Sequence, residues 1–308
     1  MLKSSILCEI EKVYSSGGNL IQYMNEMEKN DHNSVESILI SYDYQAGSYV
    51  SSYRKNTSAC RKYAMQLANE IQALGSFDSI LEAGVGEGTS FRTIIENLTI
   101  PHNHCYGFDL SWSRIKVAKD FLREERERER EREREIGLDS SHLFVAELSS
   151  IPLRDDSIDI VYTSHSIEPN GGSEKPILEE LFRITKYYLV LFEPDYELAD
   201  TEAKLRMESH GYCRQLSDIA NKLGFTLIKH ELLEYSLNAL NPTSVIVIQK
   251  SPKLGRNGEL FQCPITKTEL IDCGEIYYSP QAKLMYPVIQ GIPCLLAPYA
   301  ILGSKFAI

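Results

Sequence analysis

The sequence predicts an α/β protein: one sheet of seven strands with helices on both faces, followed by a small β-rich domain. Three observations lead there. Short apolar runs recur between helix-length segments over residues 79–248. The first run ends in a glycine-rich turn, Glu82-Ala83-Gly84-Val85-Gly86-Glu87-Gly88. After Lys250 the character changes, with a Pro- and Gly-containing stretch leading into short β-like runs. Strands that alternate with helices favour a parallel sheet, and ligands then bind beyond the carboxyl ends of its strands.

The elements follow in order. Residues 1–40 read as helical and carry no chemical motif. Tyrosines at 42, 44, 49 and 53 precede a helix expected from about Thr57 to Ala73. Ser79-Ile80-Leu81 is the first strand, and Phe91–Glu96 reads as the helix after the glycine turn. His104–Asp109 is the second strand, and Ser111-Trp112-Ser113 opens a long helix behind it. His142–Ala146 is the third, and a turn at Asp155-Asp156-Ser157 leads into the fourth, Ile158–Tyr162. Tyr187–Pro194 is the fifth strand, continuously apolar as far as Phe192, as a strand buried on both faces should be. Phe225–His230 and Thr243–Ile248 complete the set. No helix-length segment separates these two, which points to an antiparallel closing pair.

Glycine has no Cβ, so a Gly-rich turn between strand and helix lets backbone approach a ligand closely. A turn with no ligand would show the same glycines. The spacing here is acid-x-G-x-G-x-G from Glu82 to Gly88. A dinucleotide fingerprint needs its third glycine one place later, where Thr89 stands. Asp109 lies 21 residues beyond Gly88, at the end of the second strand. A carboxylate there can accept both hydroxyl protons of a ribose, or can simply cap the following helix.

Taken together, these motifs resemble the class I S-adenosylmethionine-dependent methyltransferases. The resemblance implies a seven-stranded, Rossmann-like methyltransferase sheet and a transferase that uses S-adenosylmethionine as cofactor. It places Glu82, Gly84, Gly86 and Gly88 under the cofactor and Asp109 on its ribose. Glu147 and Leu148 would flank the adenine, although Asp is commoner than Glu at that place. The turn and strand at Asp155–Tyr162 fit the same pattern. In similar enzymes the segment before the first strand closes over the cofactor, which makes Tyr44, Gln45 and Tyr49 candidate lid residues. Alternatively, those tyrosines pack the N-terminal helices onto the domain.

The acceptor should face the residues after the fourth strand, Thr163–Gly172. His165 could serve there as general base, with Glu168 orienting it and Asn170 holding substrate. A cofactor-side or packing role for His165 is the other reading. Glu193 and Glu197, at the end of the fifth strand, and His210, with Tyr212 and Arg214, could line the same cleft. Capping and solvation would equally account for them. The Asn/Asp-Pro-Pro-aromatic motif of amino-group methyltransferases is absent, which disfavours adenine and glutamine nitrogen as acceptors.

Composition sets the bounds. The 308 residues suffice for one large domain and a small one, with 43% hydrophobic content and no apolar run of membrane-span length. The N-terminus lacks a secretion-type apolar core, and seven scattered cysteines do not form a secreted disulfide framework, so a cytoplasmic location is expected. A net charge of −11 disfavours general nucleic-acid binding. The organisation expected is an N-terminal helical segment at 1–40, a methyltransferase domain at 41–250 and a small domain at 258–308. Residues 123–135 hold six Arg and seven Glu in near-strict alternation. They should extend the helix from Trp112 into a solvated rod about 36 Å long.

The C-terminal segment, with its Cys263-Pro264 start and its Tyr286-Pro287…Gly291-Ile292-Pro293 end, resembles the small zinc-ribbon-like activator domain of certain methyltransferases. A zinc knuckle needs a C-x-x-C pair, and Thr266 stands where the second cysteine belongs. Cys263, Cys273 and Cys294 lack a clear fourth ligand, so no metal is expected. The function expected is methyl transfer to a small-molecule or sugar acceptor at oxygen or nitrogen, in a possible homodimer. The alternatives are an RNA or protein methyltransferase with a fused activator-like tail, and a non-catalytic scaffold.

Overall fold

A computed structural model describes residues 4–99, 104–130, 142–251 and 258–306 of the chain. Five helices come first: α1 (Ser4–Ser15), α2 (Leu20–Glu28), α3 (Val35–Tyr44), α4 (Ser48–Lys55) and α5 (Thr57–Gln72). Asn19 caps α2 by accepting the Gln22 amide, and Ser34 and Ser37 form a reciprocal capping box on α3. Ile10, Leu20, Met24 and Ile40 pack this N-terminal unit from within.

The sheet is built from β1 (Ile80–Ala83), β2 (Cys105–Asp109), β3 (Leu143–Val145), β4 (Ile158–Ser164), β5 (Thr185–Pro194), β6 (Thr226–Leu232) and β7 (Thr243–Gln249). Its order is β3-β2-β1-β4-β5-β7-β6. The first five strands run parallel. β7 is antiparallel to both β5 and β6, which gives the closing pair that the missing crossover helix implied. Helices α6 (Thr89–Glu96), α7 (Trp112–Arg130), α8 (Glu174–Ile184), α9 (Thr201–His210) and α10 (Leu216–Lys222) lie in the connections.

Neighbouring strand residues point to opposite faces, and each face has its own core. Ile80, Val190 and Phe192 pack towards α5, α6 and α7. Leu81, Leu189 and Leu191 pack towards α8 and α10. Covering both faces is why β5 is unbroken apolar from Tyr187 to Phe192.

The Glu/Arg run is less inert than its composition suggests. Glu124 pairs with Arg54 at 2.7 Å, and Glu125 reaches Arg92 at 3.0 Å. Arg92 and Glu125 are only 3% and 13% exposed, so the start of the run is tied to the domain rather than projecting from it. Residues 131–135 of the run lie outside the described residues.

The C-terminal strands are β8 (Ile271–Asp272), β9 (Ile276–Ser279), β10 (Leu284–Ile289), β11 (Ile292–Pro293) and β12 (Ile301–Leu302). They form an antiparallel sheet of order β11-β10-β9-β8, with β12 on β10. This unit packs on the main domain. Cys294 bridges Val145 in parallel, and the Leu295 amide donates to the Val145 carbonyl at 2.9 Å. The exposed edge of β3 is thereby covered, which removes a site of unwanted strand pairing. Gln262 N–H donates to Pro152 O at 2.9 Å, and Arg154 N–H to Leu260 O at 3.1 Å. The loop after β3 is thus held by the C-terminal unit at both ends.

Within that unit Cys263 is buried, and its Sγ lies 3.2 Å from the Tyr286 hydroxyl. Burial raises the Cys263 thiol, but hydrogen bonds from Thr266, Tyr286 and Ser279 outweigh it and hold the thiol below its ordinary value. Among the described residues, no group of three or more His, Cys, Asp or Glu gathers as a metal site. No helix among them is long and apolar enough to cross a membrane.

Candidate active site

The glycine turn lies where β1 leaves the sheet. The Gly84 and Val85 amides both donate to the Phe108 carbonyl at 2.8 Å, which curls the chain over the end of β2. Gly84, Gly86 and Gly88 have φ of 79°, 55° and 73°, in the left-handed region that side chains disfavour. Each glycine makes room for a different neighbour. A Cβ on Gly84 would stand 2.2 Å from the Ser166 Cβ, and one on Gly86 would stand 2.6 Å from an Arg114 Nη. Gly88 starts α6 and faces Ala118 and Leu122 of α7. Gly84 and Gly86 line the cleft beyond the strand ends, whereas Gly88 has a packing role.

Asp109 closes the turn from the β2 side. One carboxylate oxygen accepts the Gly86 amide at 3.0 Å, and the other accepts the Ser111 amide at 2.9 Å. A carboxylate has about four acceptor positions, so two remain for a ligand diol. Glu82 is buried beneath the turn and accepts the Tyr162 hydroxyl at 2.8 Å. Strand register sets this pair, because Glu82 of β1 lies opposite Tyr162 of β4. Burial pushes the Glu82 carboxyl up to about 8; the Tyr162 hydrogen bond opposes this, and the charge of Asp109 adds to it. Glu147 and Leu148 line the same cleft, after β3.

The roof comes from the N-terminal helices. Tyr49 and Tyr42 line the cleft, with the Arg114 guanidinium 4.5 Å and 5.0 Å from their ring centroids. Arg114 lies 4.0 Å from Asp109, and its buried Nε has no hydrogen-bond partner among the described residues. Tyr44 is not a roof residue: it packs on Tyr14, ring centroids 5.5 Å apart, inside the N-terminal unit. Gln45 does line the cleft. Asp43 accepts the Ser111 hydroxyl at 2.6 Å and the Ser113 hydroxyl at 3.1 Å, fixing the roof to the start of α7.

His165 follows β4 with φ of 55°, a strained conformation for a side-chain-bearing residue. Its Nδ1 is 2.6 Å from Glu168 and its Nε2 is 3.0 Å from the Thr243 hydroxyl. Burial lowers the His165 imidazole, but the hydrogen bond and charge of Glu168 outweigh this and raise it above its ordinary value. Burial in turn raises Glu168, and its bond to His165 brings it below the usual carboxylate range. Both residues line the cleft, as do Asn170 and His210.

Two other expected substrate residues have different work. Glu193 is buried, and its carboxylate accepts the amides of Ser166, Ile167 and Glu168 at 3.0–3.1 Å. It shapes the loop that carries His165. Glu197 accepts the Gln215 amide at 3.0 Å, outside the cleft. Arg214 also lies outside, 3.9 Å from Glu208. Tyr212 does line the cleft, beside Arg206, whose guanidinium donates to Asn241. The sequence reading missed Arg114, Glu87 and Asp43. An arginine one turn into the helix after Asp109 was the one local signal for the first; the other two pair over 37 or more residues.

The cleft has a volume of about 1370 Å³ and holds the turn, the two acids and the His165–Glu168 pair together. Residues 81–187 match the family model for a methyltransferase domain. Three solved structures are among those similar in shape. The magnesium protoporphyrin IX methyltransferase of Synechocystis PCC 6803 with bound S-adenosylmethionine is 13% identical, over 72% of this chain and all of that one, at a TM-score of 0.49. A complex of a Haloferax volcanii methyltransferase activator with a methyltransferase is 15% identical, over 68% of this chain and 97% of that one, at 0.48. The YcgJ protein of Bacillus subtilis is 17% identical, over 62% and 99%, at 0.43. The family match falls on the stretch from β1 to the start of β5, which carries Glu82, Asp109 and His165, so this part of the chain is similar to a methyltransferase domain.

Proposed function

We propose that the protein transfers the methyl group of S-adenosylmethionine to a small-molecule acceptor, at an oxygen or a nitrogen. The observation that carries this reading is that the glycine turn, Asp109 and the His165–Glu168 pair line one cleft. Bound S-adenosylmethionine would supply an activated methyl group on sulfur; the chain has to place a nucleophile in line and manage its proton.

Glu82, Gly84, Gly86 and Asp109 form the floor on which the cofactor would lie, with Glu147 and Leu148 at one end and Tyr49 over it. The two acceptor positions left on Asp109 suit a ribose diol. His165 takes the acceptor proton when its imidazole is neutral, and Glu168 fixes the ring. Asn170 and His210, which line the same cleft, would hold the acceptor.

A second reading, an RNA or protein acceptor, draws on the C-terminal unit and its hydrogen bond to Val145 of β3. Salt-sensitive binding of RNA would favour it.

Calorimetric titration with S-adenosylmethionine and S-adenosylhomocysteine, with NAD as control, tests the reading. Micromolar binding of the first two alone is the expected result. Binding of NAD, or of none of the three, would overturn it.

A further inference from the structure

The cleft is also lined by an annex of residues from α2, from the loop before Ser34, from Arg206–Tyr212 and from Leu237–Asn241. None of these residues belongs to the cofactor floor. We propose that this annex is the acceptor site and that its ligand is a neutral, polyhydroxylated molecule of the glycoside class. The inference rests on the methyltransferase reading and deepens it.

Charge decides against an anionic ligand. Lys29 and Arg206 are the cations of the annex wall among the described residues, against Glu26, Asp31 and Glu208. Arg206 is already held by Asn241 and by the Tyr212 hydroxyl at 3.4 Å. With three carboxylates against two cations, the annex offers a phosphate no net positive charge. No cluster of arginines offers it a bidentate fork.

Carboxamides supply much of the remaining polarity, among them Asn25, Asn33, Asn170, Asn238 and Asn241, beside His32, Ser209 and His210. Each side-chain amide both donates and accepts in one plane, which matches vicinal hydroxyls better than it matches a charge. The wall is pre-organised. Asn25 donates to Asn33 at 2.8 Å, and Asn33 donates onward to the carbonyls of Pro169 at 2.9 Å and His210 at 3.1 Å. One amide thus joins three separated segments. The Asn25 carbonyl oxygen is left buried with no hydrogen-bond partner among the described residues. A buried acceptor atom costs free energy unless a partner arrives, and a ligand hydroxyl would be that partner. The Tyr42 and Tyr212 side chains add aromatic surface beside the amides. A fixed wall also lowers the ordering cost of binding.

Saturation-transfer NMR on the full chain with S-adenosylhomocysteine tests the proposal. The probes are methyl α-D-glucopyranoside, methyl β-D-galactopyranoside and methyl α-L-rhamnopyranoside, with glucose 6-phosphate and glucuronate as anionic counterparts. At least one neutral glycoside should bind more tightly than both anions. Its affinity should fall about three- to tenfold in Asn25→Leu and in Asn238→Ala, the loss of one hydrogen bond. Asn238→Ala changes a different segment of the annex and stands independently if the first variant folds poorly. S-adenosylhomocysteine affinity should be unchanged in both. Silence of all three glycosides while S-adenosylhomocysteine binds would overturn the annex proposal alone. So would preference for the anions, or unchanged glycoside binding in both variants. Failure of S-adenosylhomocysteine itself to bind would instead bring down the cofactor reading, and the annex proposal with it.

Discussion

The Glu87 carboxylate accepts the Val50 amide at 2.7 Å, so a side chain of the glycine turn caps a helix of the roof. Its other oxygen accepts the Gly47 amide at 2.9 Å. Gly47 is the N-cap of α4 and has no side chain of its own to do this. The first amides of a helix need acceptors, and a negative group is favoured at that end. Roof and turn are therefore tied by one buried acid. Glu87→Ala should lose about 2–4 kcal/mol, from two charge-assisted hydrogen bonds inside the protein. A shifted urea midpoint and faster proteolysis around residues 45–56 would show it. Glu87→Gln keeps one acceptor and should recover part of the loss.

The glycines separate fold from ligand. Gly84→Ala would force a Cβ to 2.2 Å from that of Ser166, a short side chain whose hydroxyl donates to Ala83 O at 2.6 Å. With so little freedom to move, the loop bearing His165 must shift, and the melting temperature should fall sharply. Gly86→Ala meets the end of a flexible arginine instead. The protein should stay folded and lose cofactor affinity, because the added methyl and the displaced guanidinium both crowd the turn. Calorimetry and thermal melts on the two variants check the order; a Gly86→Ala protein that binds normally would remove the cofactor from this turn.

How far the chain could be read in advance depended on distance along it. The seven strands, the glycine turn and the acid that ends β2 were legible because each is signalled by residues within one strand–turn–helix unit. Asp43, Glu87 and Arg114 were not, because their meaning depends on pairings that only folding brings about. Glu193 misled for a related reason. An acid at a strand end suggests substrate, yet three amides of the neighbouring loop already consume its oxygens. The Glu/Arg run shows the limit of composition: it has no apolar face, but Glu125 finds the buried Arg92. Likewise, Tyr44 and Tyr49 are alike in sequence context, but Tyr44 ends α3 and Tyr49 lies in α4, and the break between the two helices sends one to Tyr14 and the other to the cleft.

Glu82 predicts a pH slope in stability. Its carboxyl is held at about 8 in the folded chain against an ordinary 4.5, so the folded state keeps a proton that the unfolded state releases. Stability of the cofactor-free protein should therefore fall as pH rises from 4.5 to about 8 and level off above, with a slope of at most about 1.4 kcal/mol per pH unit from this group. Glu82→Gln cannot ionise, and it should melt higher than the parent at pH 8 while matching it near pH 4.5. Melting curves that stay parallel across this range would refute the assignment. Cofactor affinity should drop in the same variant, since the carboxylate lies under the turn.

The His165–Glu168 pair yields the sharpest functional test, because the two residues are shifted in opposite directions. His165 is raised, so its contribution to stability is complete below pH 6.5 and is lost as pH rises through its folded value. Glu168 is lowered, so its contribution is present above pH 4.5 and is lost as pH falls through its folded value. Between those limits the imidazolium–carboxylate pair is intact, and an imidazolium cannot accept a proton. If His165 is the base, kcat/KM should climb with pH along a limb above 6.5. Glu168→Gln removes the charge that holds the proton on the ring, and the limb should move to lower pH even as the rate falls. His165→Asn should abolish the limb. A limb that Glu168→Gln leaves in place would make the pair a positioning device for the loop after β4, with the acceptor's proton leaving by another route.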